Sequence, residues 1–220
     1  MRKTRTLSVA AVILTAALAL TSCSSGTPDG KDGPVASVDG ADRTEGGITL
    51  DTPFAKPDLT LTDDEGEKFD LVEETAGRPT LLFFGYTHCP DICPLTMSNI
   101  AIAKSRLTDA QQKKLRVVFV TTDPERDTPK RLHAWLGMHD ESFTGLTGDF
   151  GTVQAAARGL GIHIEESRKK KNGDIVSTHG AQVLAFSPKD DEAHVLYTDS
   201  KATPEVLERE LPKIIRGETP

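Results

Sequence analysis

Two short apolar runs constrain this chain more than any other feature. Thr80-Leu81-Leu82-Phe83-Phe84 and Val117-Val118-Phe119-Val120 are continuous rather than alternating, the pattern of strands buried on both faces of a sheet. A helical pattern over about residues 94–107 lies between them, and strand and helix signals alternate around that unit. Leu59-Thr60-Leu61 and Phe69-Asp70-Leu71 flank an Asp64-Glu65-Gly66 turn and read as a hairpin. Thr108 with Gln111 makes a capping box for a short further turn. Thr128 and Pro129 suit the N-cap and first position of a helix whose Leu132, Trp135 and Leu136 share a face. A helix is expected over residues 152–160, and strands near 162–164, 183–186 and 195–197. Thr203 and Pro204 open a C-terminal helix in which Pro212 predicts a kink. Strand–helix–strand units closed by an antiparallel hairpin indicate a three-layer α/β domain.

The chain opens differently. Arg2, Lys3 and Arg5 precede an uncharged run over residues 7–20, closed by Leu20-Thr21-Ser22-Cys23. This is the layout of an export signal, and its end resembles a bacterial lipoprotein cleavage box, in which the cysteine becomes the lipidated first residue. A plain secretory signal is the alternative, and both readings agree on export. Residues 1–22 are thus expected to be a lipoprotein signal peptide. Residues 23–49, rich in Gly, Ser, Pro and Asp, form a tether lipid-anchored at Cys23, and residues 50–217 form one domain in an extracytoplasmic, membrane-anchored protein. No other apolar stretch approaches the ~18–20 residues that span a bilayer, which excludes a multi-pass membrane protein. The 26 basic and 33 acidic residues leave a formal charge of −7. All three basic residues before Cys23 would leave with the signal, so the mature charge is −10. A nucleic-acid partner is excluded by that sign.

Lipidation of Cys23 leaves two cysteines, in Phe84-Gly85-Tyr86-Thr87-His88-Cys89-Pro90-Asp91-Ile92-Cys93-Pro94. This segment leaves a buried strand and enters a helix, where backbone N–H groups and the helix dipole favour thiolates. Pro94 is expected at the first helical position. Cysteines four apart at a helix start can point at one object, either a partner thiol or a soft metal ion. Dithiol oxidoreductases of the thioredoxin type usually carry C-x-x-C, whereas this spacing is C-x-x-x-C. Thiolates select Cu(I), and an added imidazole admits Cu(II). A structural zinc site would need two histidines besides. A purely structural disulfide would close too short a loop to stabilise much.

FFGYTHCPDICP, then TTDPERDTP at 121–129, then a histidine ahead of a C-terminal strand, resemble in that order the Sco/SenC family of membrane-anchored copper-binding proteins. The similarity runs from about residue 55 to 215. It implies a thioredoxin-like three-layer fold with a central mixed sheet, here with an added N-terminal β-hairpin. It places the copper ligands at Cys89, Cys93 and His179, for one Cu(I) or Cu(II) ion per monomer. In such folds the loop before the 183–186 strand lies against the cysteine-bearing helix start. The commoner family wording has Asp before and Ser after the histidine, where this chain has Thr178-His179-Gly180. The function implied is a copper chaperone, a binding protein rather than an enzyme, for the binuclear copper site of cytochrome c oxidase subunit II. Its other partners would be an upstream copper donor protein or a thiol reductant. The alternative is a thiol–disulfide reductase in which Cys89 and Cys93 are the redox-active pair acting on the oxidase cysteines.

Other residues carry plainer expectations. His133 reads as a surface residue, His139 as a charge partner at a helix C-terminus, and His163 and His194 as packed or exposed strand positions. His88 adjoins Cys89 with its side chain turned away. Met97 reads as core filler. Asp123 is expected near the metal or in partner recognition. Arg168-Lys169-Lys170-Lys171 is a solvated hairpin tip, with docking to a partner or anionic lipid as the alternative. A peroxiredoxin-like peroxidase is disfavoured, because its threonine stands three before the cysteine and Thr87 stands two before Cys89. Cys23→Ala should release the protein from membranes and leave the fold unchanged. Fractionation of the variant with salt-washed membranes would contradict the lipid anchor.

Overall fold

The computed structural model describes residues 46–171, 173 and 175–220. The signal peptide at 1–22, the lipidated Cys23 and the tether as far as residue 45 lie outside the described residues. Element order is β1 (Ile48–Ala55), β2 (Thr60–Asp63), β3 (Lys68–Asp70), α1 (Leu71–Glu74), β4 (Thr80–Gly85), α2 (Ile92–Ser105), α3 (Asp109–Lys114) and β5 (Arg116–Thr121). Then follow α4 (Pro129–Leu136), β6 (Thr144–Thr147), α5 (Phe150–Gly159), β7 (Arg168–Lys169), β8 (Ile175–Val176), β9 (Val183–Phe186), β10 (Glu192–Tyr197) and α6 (Pro204–Ile215).

Eight strands form one mixed sheet in the order β1-β10-β9-β4-β5-β6-β2-β3. The apolar runs at β4 and β5 pair in parallel, Phe83 beside Phe119 and Gly85 beside Thr121. β9 runs antiparallel along the other side of β4, and β10 antiparallel to β9. The unit β4-α2-β5 followed by β9-β10-α6 is the thioredoxin-like arrangement, and the β2–β3 hairpin extends the far edge through β6. Every residue of β4 is buried, because both faces are covered. Leu81 and Phe83, with Val117 and Phe119, face Met97 and Ile100 of α2, Trp135 of α4 and Leu211 of α6. Leu82 and Phe84, with Val118 and Val120, face Val153 and Ala157 of α5 and Leu59 and Leu71 beside the hairpin. The two-residue side-chain period of a strand makes that division.

Most helix starts follow their sequence signals. Thr108 and Gln111 form the capping box of α3, and Thr128 and Thr203 cap α4 and α6 with Pro129 and Pro204 just inside. α6 runs from Pro204 to Ile215 with Pro212 inside it. Two expectations about these elements need correction. α2 starts at Ile92 with Asp91 as its cap, so Pro94 is the third helical residue rather than the first. Its missing N–H still falls among the first-turn groups that have no helical acceptor. No strand forms at 162–164. Ile162 and Ile164 are buried in the core, but the Ile162 N–H bonds to Ala157 O at 2.8 Å, and Ile164 O accepts from Gln154 Nε2 at 2.9 Å. The alternation there reports burial without a ladder. β1 and β6 carry no sequence expectation. Among the described residues, no helix is long and apolar enough to cross a membrane.

His139 is not the charge partner its position suggested. Its ring meets Trp135 edge-on with centroids 4.9 Å apart, Nδ1 lies 3.1 Å from Ser98 Oγ, and Nε2 is buried without a hydrogen-bond partner among the described residues. Burial holds its pKa below the ordinary 6.5, favouring the neutral ring. In this window the unfolded chain binds the proton more tightly, so stability is full above about pH 6.5 and falls as pH drops toward the folded pKa. Urea unfolding from pH 7.5 to 5.5 should show the wild type losing stability relative to His139→Phe, by up to about 1.4 kcal/mol per pH unit. Parallel curves would contradict this.

Candidate metal centre

β4 ends at Gly85, and residues 86–91 turn the chain into α2. A side chain could not replace Gly85 without displacement, since a Cβ there would sit 2.9 Å from Cys93 Sγ and 2.8 Å from the Phe83 ring. Cys89 N donates to Tyr86 O at 3.2 Å, closing the turn, and the Asp91 carboxylate accepts from Ile92 N at 2.7 Å to start the helix. Cys93 is thereby the second residue of α2. Both cysteines are free thiols, Cys93 fully buried and Cys89 nearly so.

The two sulfurs are unequal. Cys89 Sγ accepts a hydrogen bond from the Cys93 thiol and another from Cys93 N at 3.4 Å. These donors lower its pKa to about 5. Cys93 is pushed strongly upward, first as the donor in that bond and then by burial. The pair is thus biased toward a thiolate at Cys89 and a thiol at Cys93. Tyr86, to which sequence reasoning assigns no role, is buried beside them. Burial and the neighbouring sulfurs push its phenol up to about 12.

His179 completes the group. One ligand atom each from Cys89, Cys93 and His179 lie within 4.8 Å of one another. The imidazole is half-buried against the Tyr86 ring, with centroids 5.7 Å apart. Its Nδ1 lies 2.8 Å from Gly180 O. A carbonyl only accepts, so Nδ1 carries the proton and Nε2 keeps its lone pair for a metal. Gly180 permits this approach, because a Cβ there would stand 2.9 Å from Ile162 Cγ2. The donor set of two sulfurs and one imidazole nitrogen fits a soft or borderline ion and leaves further coordination positions open.

The other sequence candidates fall elsewhere. His88 is not part of that group, its side chain 40% exposed and 3.5 Å from Asp127. Met97 is fully buried in the core. His133 is exposed beside Asp64, and His163 is exposed beside Glu165. His194 lies 2.8 Å from Asp190 on the β9–β10 hairpin, where Glu192 also comes within ligand distance. Arg168 and Lys169 stand on the exposed β7–β8 hairpin, with Arg168 paired to Glu165. Asp123 and Asp127 are both buried just beyond β5. Asp127 accepts from Thr87 N at 2.9 Å, Thr87 Oγ1 at 2.6 Å and Thr121 Oγ1 at 2.6 Å, which ties the cysteine turn to β5.

Comparison with known proteins gives the family of the chain. Residues 49–216 match the SCO1/SenC family model. A Stutzerimonas stutzeri protein, named as a candidate copper-binding protein, is 32% identical over 171 residues, covering 78% of this chain and 82% of that one. The mitochondrial SCO2 protein of Saccharomyces cerevisiae is 31% identical over 150 residues, or 68% of this chain. The chain spans about half the length of that mitochondrial relative, 48%. Apo Sco1 from Thermus thermophilus superposes with a TM-score of 0.67 at 30% identity, covering 79% of this chain and 98% of that structure. Bradyrhizobium japonicum ScoI with copper bound gives 0.62 at 29%, covering 74% and 98%. With the family model matched over residues 49–216, including the turn and loop that bring two cysteines and a histidine together, the chain belongs to the SCO1/SenC family.

Proposed function

We propose that this chain binds one copper ion through Cys89 Sγ, Cys93 Sγ and His179 Nε2. It delivers the ion, as a chaperone rather than an enzyme, to the binuclear copper site of cytochrome c oxidase subunit II. The observation that carries the reading is the convergence of those three ligand atoms within 4.8 Å at the end of β4. Copper is the cargo. A three-ligand shell holds it without enclosing it, so an acceptor's ligands can enter before the donor's leave. The relatives named for copper, including a structure with copper bound, support the choice of ion. Attachment through Cys23 would keep the domain on the extracytoplasmic face of the membrane, beside its target.

A second reading is supported by the inequality of the sulfurs. A thiolate at Cys89 beside a buried thiol at Cys93 is also the arrangement of a dithiol reductant. Cys89 would attack a disulfide of the oxidase copper site. Cys93 would then release the mixed disulfide, leaving the target as two thiols and this pair oxidised. An upstream thiol reductant would have to restore the pair.

His179 separates the two. Cu(I) accepts two thiolates alone, whereas Cu(II) depends on nitrogen or oxygen donors. His179→Ala should keep Cu(I) binding, lose at least about 100-fold in Cu(II) affinity, retain Cys89–Cys93 disulfide exchange and fail to restore copper loading of the oxidase. Cys93→Ala should abolish both activities. Full oxidase maturation by His179→Ala despite lost Cu(II) binding would replace the chaperone reading with the reductase.

A further inference from the structure

Two buried carboxylates lie four residues apart in Thr121-Thr122-Asp123-Pro124-Glu125-Arg126-Asp127, with Asp123 1% exposed and Asp127 fully buried. Burying a carboxylate is unfavourable unless its oxygens find donors. Asp127 meets that requirement fully and serves the cysteine turn. Asp123 does not, since its Oδ1 is buried without a partner among the described residues. An unsatisfied buried oxygen calls for an explanation other than stability.

The other oxygen supplies one. Asp123 Oδ2 accepts from Ser177 Oγ at 3.0 Å and pairs with the Arg126 guanidinium. Arg126 Nη2 reaches the same Ser177 hydroxyl at 3.2 Å. Beside them, Thr122 Oγ1 donates to Thr178 O at 2.7 Å. Ser177 and Thr178 are the two residues before His179. The segment after β5 thus grips the backbone that presents the imidazole, while Gly180 O fixes the ring's tautomer. Among the described residues, the side-chain hydrogen bonds and ion pairs of Asp123 run to Ser177 and Arg126 and not to the cysteines or His179. The Asp123 carboxylate is the charged acceptor on which the Ser177 and Arg126 donors converge, and an amide of the same shape could accept through one oxygen but would lose the charge that pairs with Arg126.

We propose that Asp123 is a positioning residue that holds the 177–179 loop against the cysteine turn, so that His179 stands ready as the third ligand before copper arrives. This rests on the reading of Cys89, Cys93 and His179 as the copper site. Groups that orient a metal ligand typically contribute about 10–100-fold to affinity. The effect belongs to the nitrogen ligand alone, because Asp127 and not Asp123 braces the cysteines.

The test uses full-length protein and the variants Asp123→Asn, Ser177→Ala, their double, and His179→Ala. Affinities for Cu(I) and Cu(II) are measured by chelator competition. The nitrogen hyperfine signal of the Cu(II) form and the His179 Nδ1–H resonance of the metal-free protein are recorded alongside. Asp123→Asn and Ser177→Ala should each weaken Cu(II) about 10–100-fold, leave Cu(I) within about threefold, and speed water exchange of the Nδ1–H. The double variant should be no weaker than the worse single, since both remove one shared bond. If Asp123→Asn does not fold, Ser177→Ala, which keeps the Asp123–Arg126 pair, carries the comparison. Unchanged Cu(II) affinity and resonance would overturn the proposal, as would equal loss of Cu(I) and Cu(II) or additive losses in the double. If His179→Ala itself binds Cu(II) like wild type, the copper-site reading has failed. If only His179→Ala loses Cu(II), that reading stands and the role of Asp123 is refuted.

Discussion

Everything at this site depends on how three strands meet at one end of the sheet. β4 and β5 are parallel, so both finish there. β9 is antiparallel to β4, so it begins there. The chain leaving β4 carries the cysteines, the chain leaving β5 carries Asp123 and Asp127, and the chain entering β9 carries His179. Strand pairing alone brings together side chains that are some thirty and ninety residues apart. The hydrogen bonds from Thr87 to Asp127 and from Thr122 to Thr178 then lock the three connections to one another. Ligands outside the carboxyl ends of parallel strands are a general outcome of such sheets. Here the added antiparallel strand contributes the histidine.

The chemistry follows from where that end leaves each sulfur. Cys89 sits in the turn, reached by N–H and S–H donors that stabilise a thiolate. Cys93 sits one step inside α2, packed against Gly85 and shut away from water. On the proposed reading a metal ion would take the place of the proton between them, whereas a disulfide substrate would exploit their inequality. Copper transfer and thiol exchange would then draw on the same geometry, with the imidazole required by the first alone.

Much of this was legible in the sequence because the signals were local. The continuous apolar runs of β4 and β5, the Thr-Pro starts of α4 and α6, and the capping box of α3 each state their structure within a few residues. So did the two cysteines and, through the family resemblance, His179. What escaped depends on distant partners. β1 has no fully buried residue and is held by pairing with β10, while Glu210 accepts from Gly47 N just ahead of it. β6 is only Thr-Gly-Leu-Thr, too short and polar to signal a strand. Ile162 and Ile164 alternate like a strand because they are buried, yet no strand pairs with them. The distant partners of Asp123 and Asp127 were hidden for the same reason. Apart from the local Arg126, their side-chain donors come from residues 87, 121 and 177, and nothing in the DPERD segment alone distinguishes a metal ligand from a brace.

The central claim is that a three-ligand site of two sulfurs and one nitrogen forms where these strands meet. X-ray absorption at the copper edge of the reduced protein loaded with one equivalent of Cu(I) tests it most directly. The account predicts two sulfur scatterers and one imidazole, the imidazole multiple-scattering pattern vanishing in His179→Ala while both sulfurs remain. A spectrum showing sulfur alone, or an imidazole that survives the substitution, would contradict it.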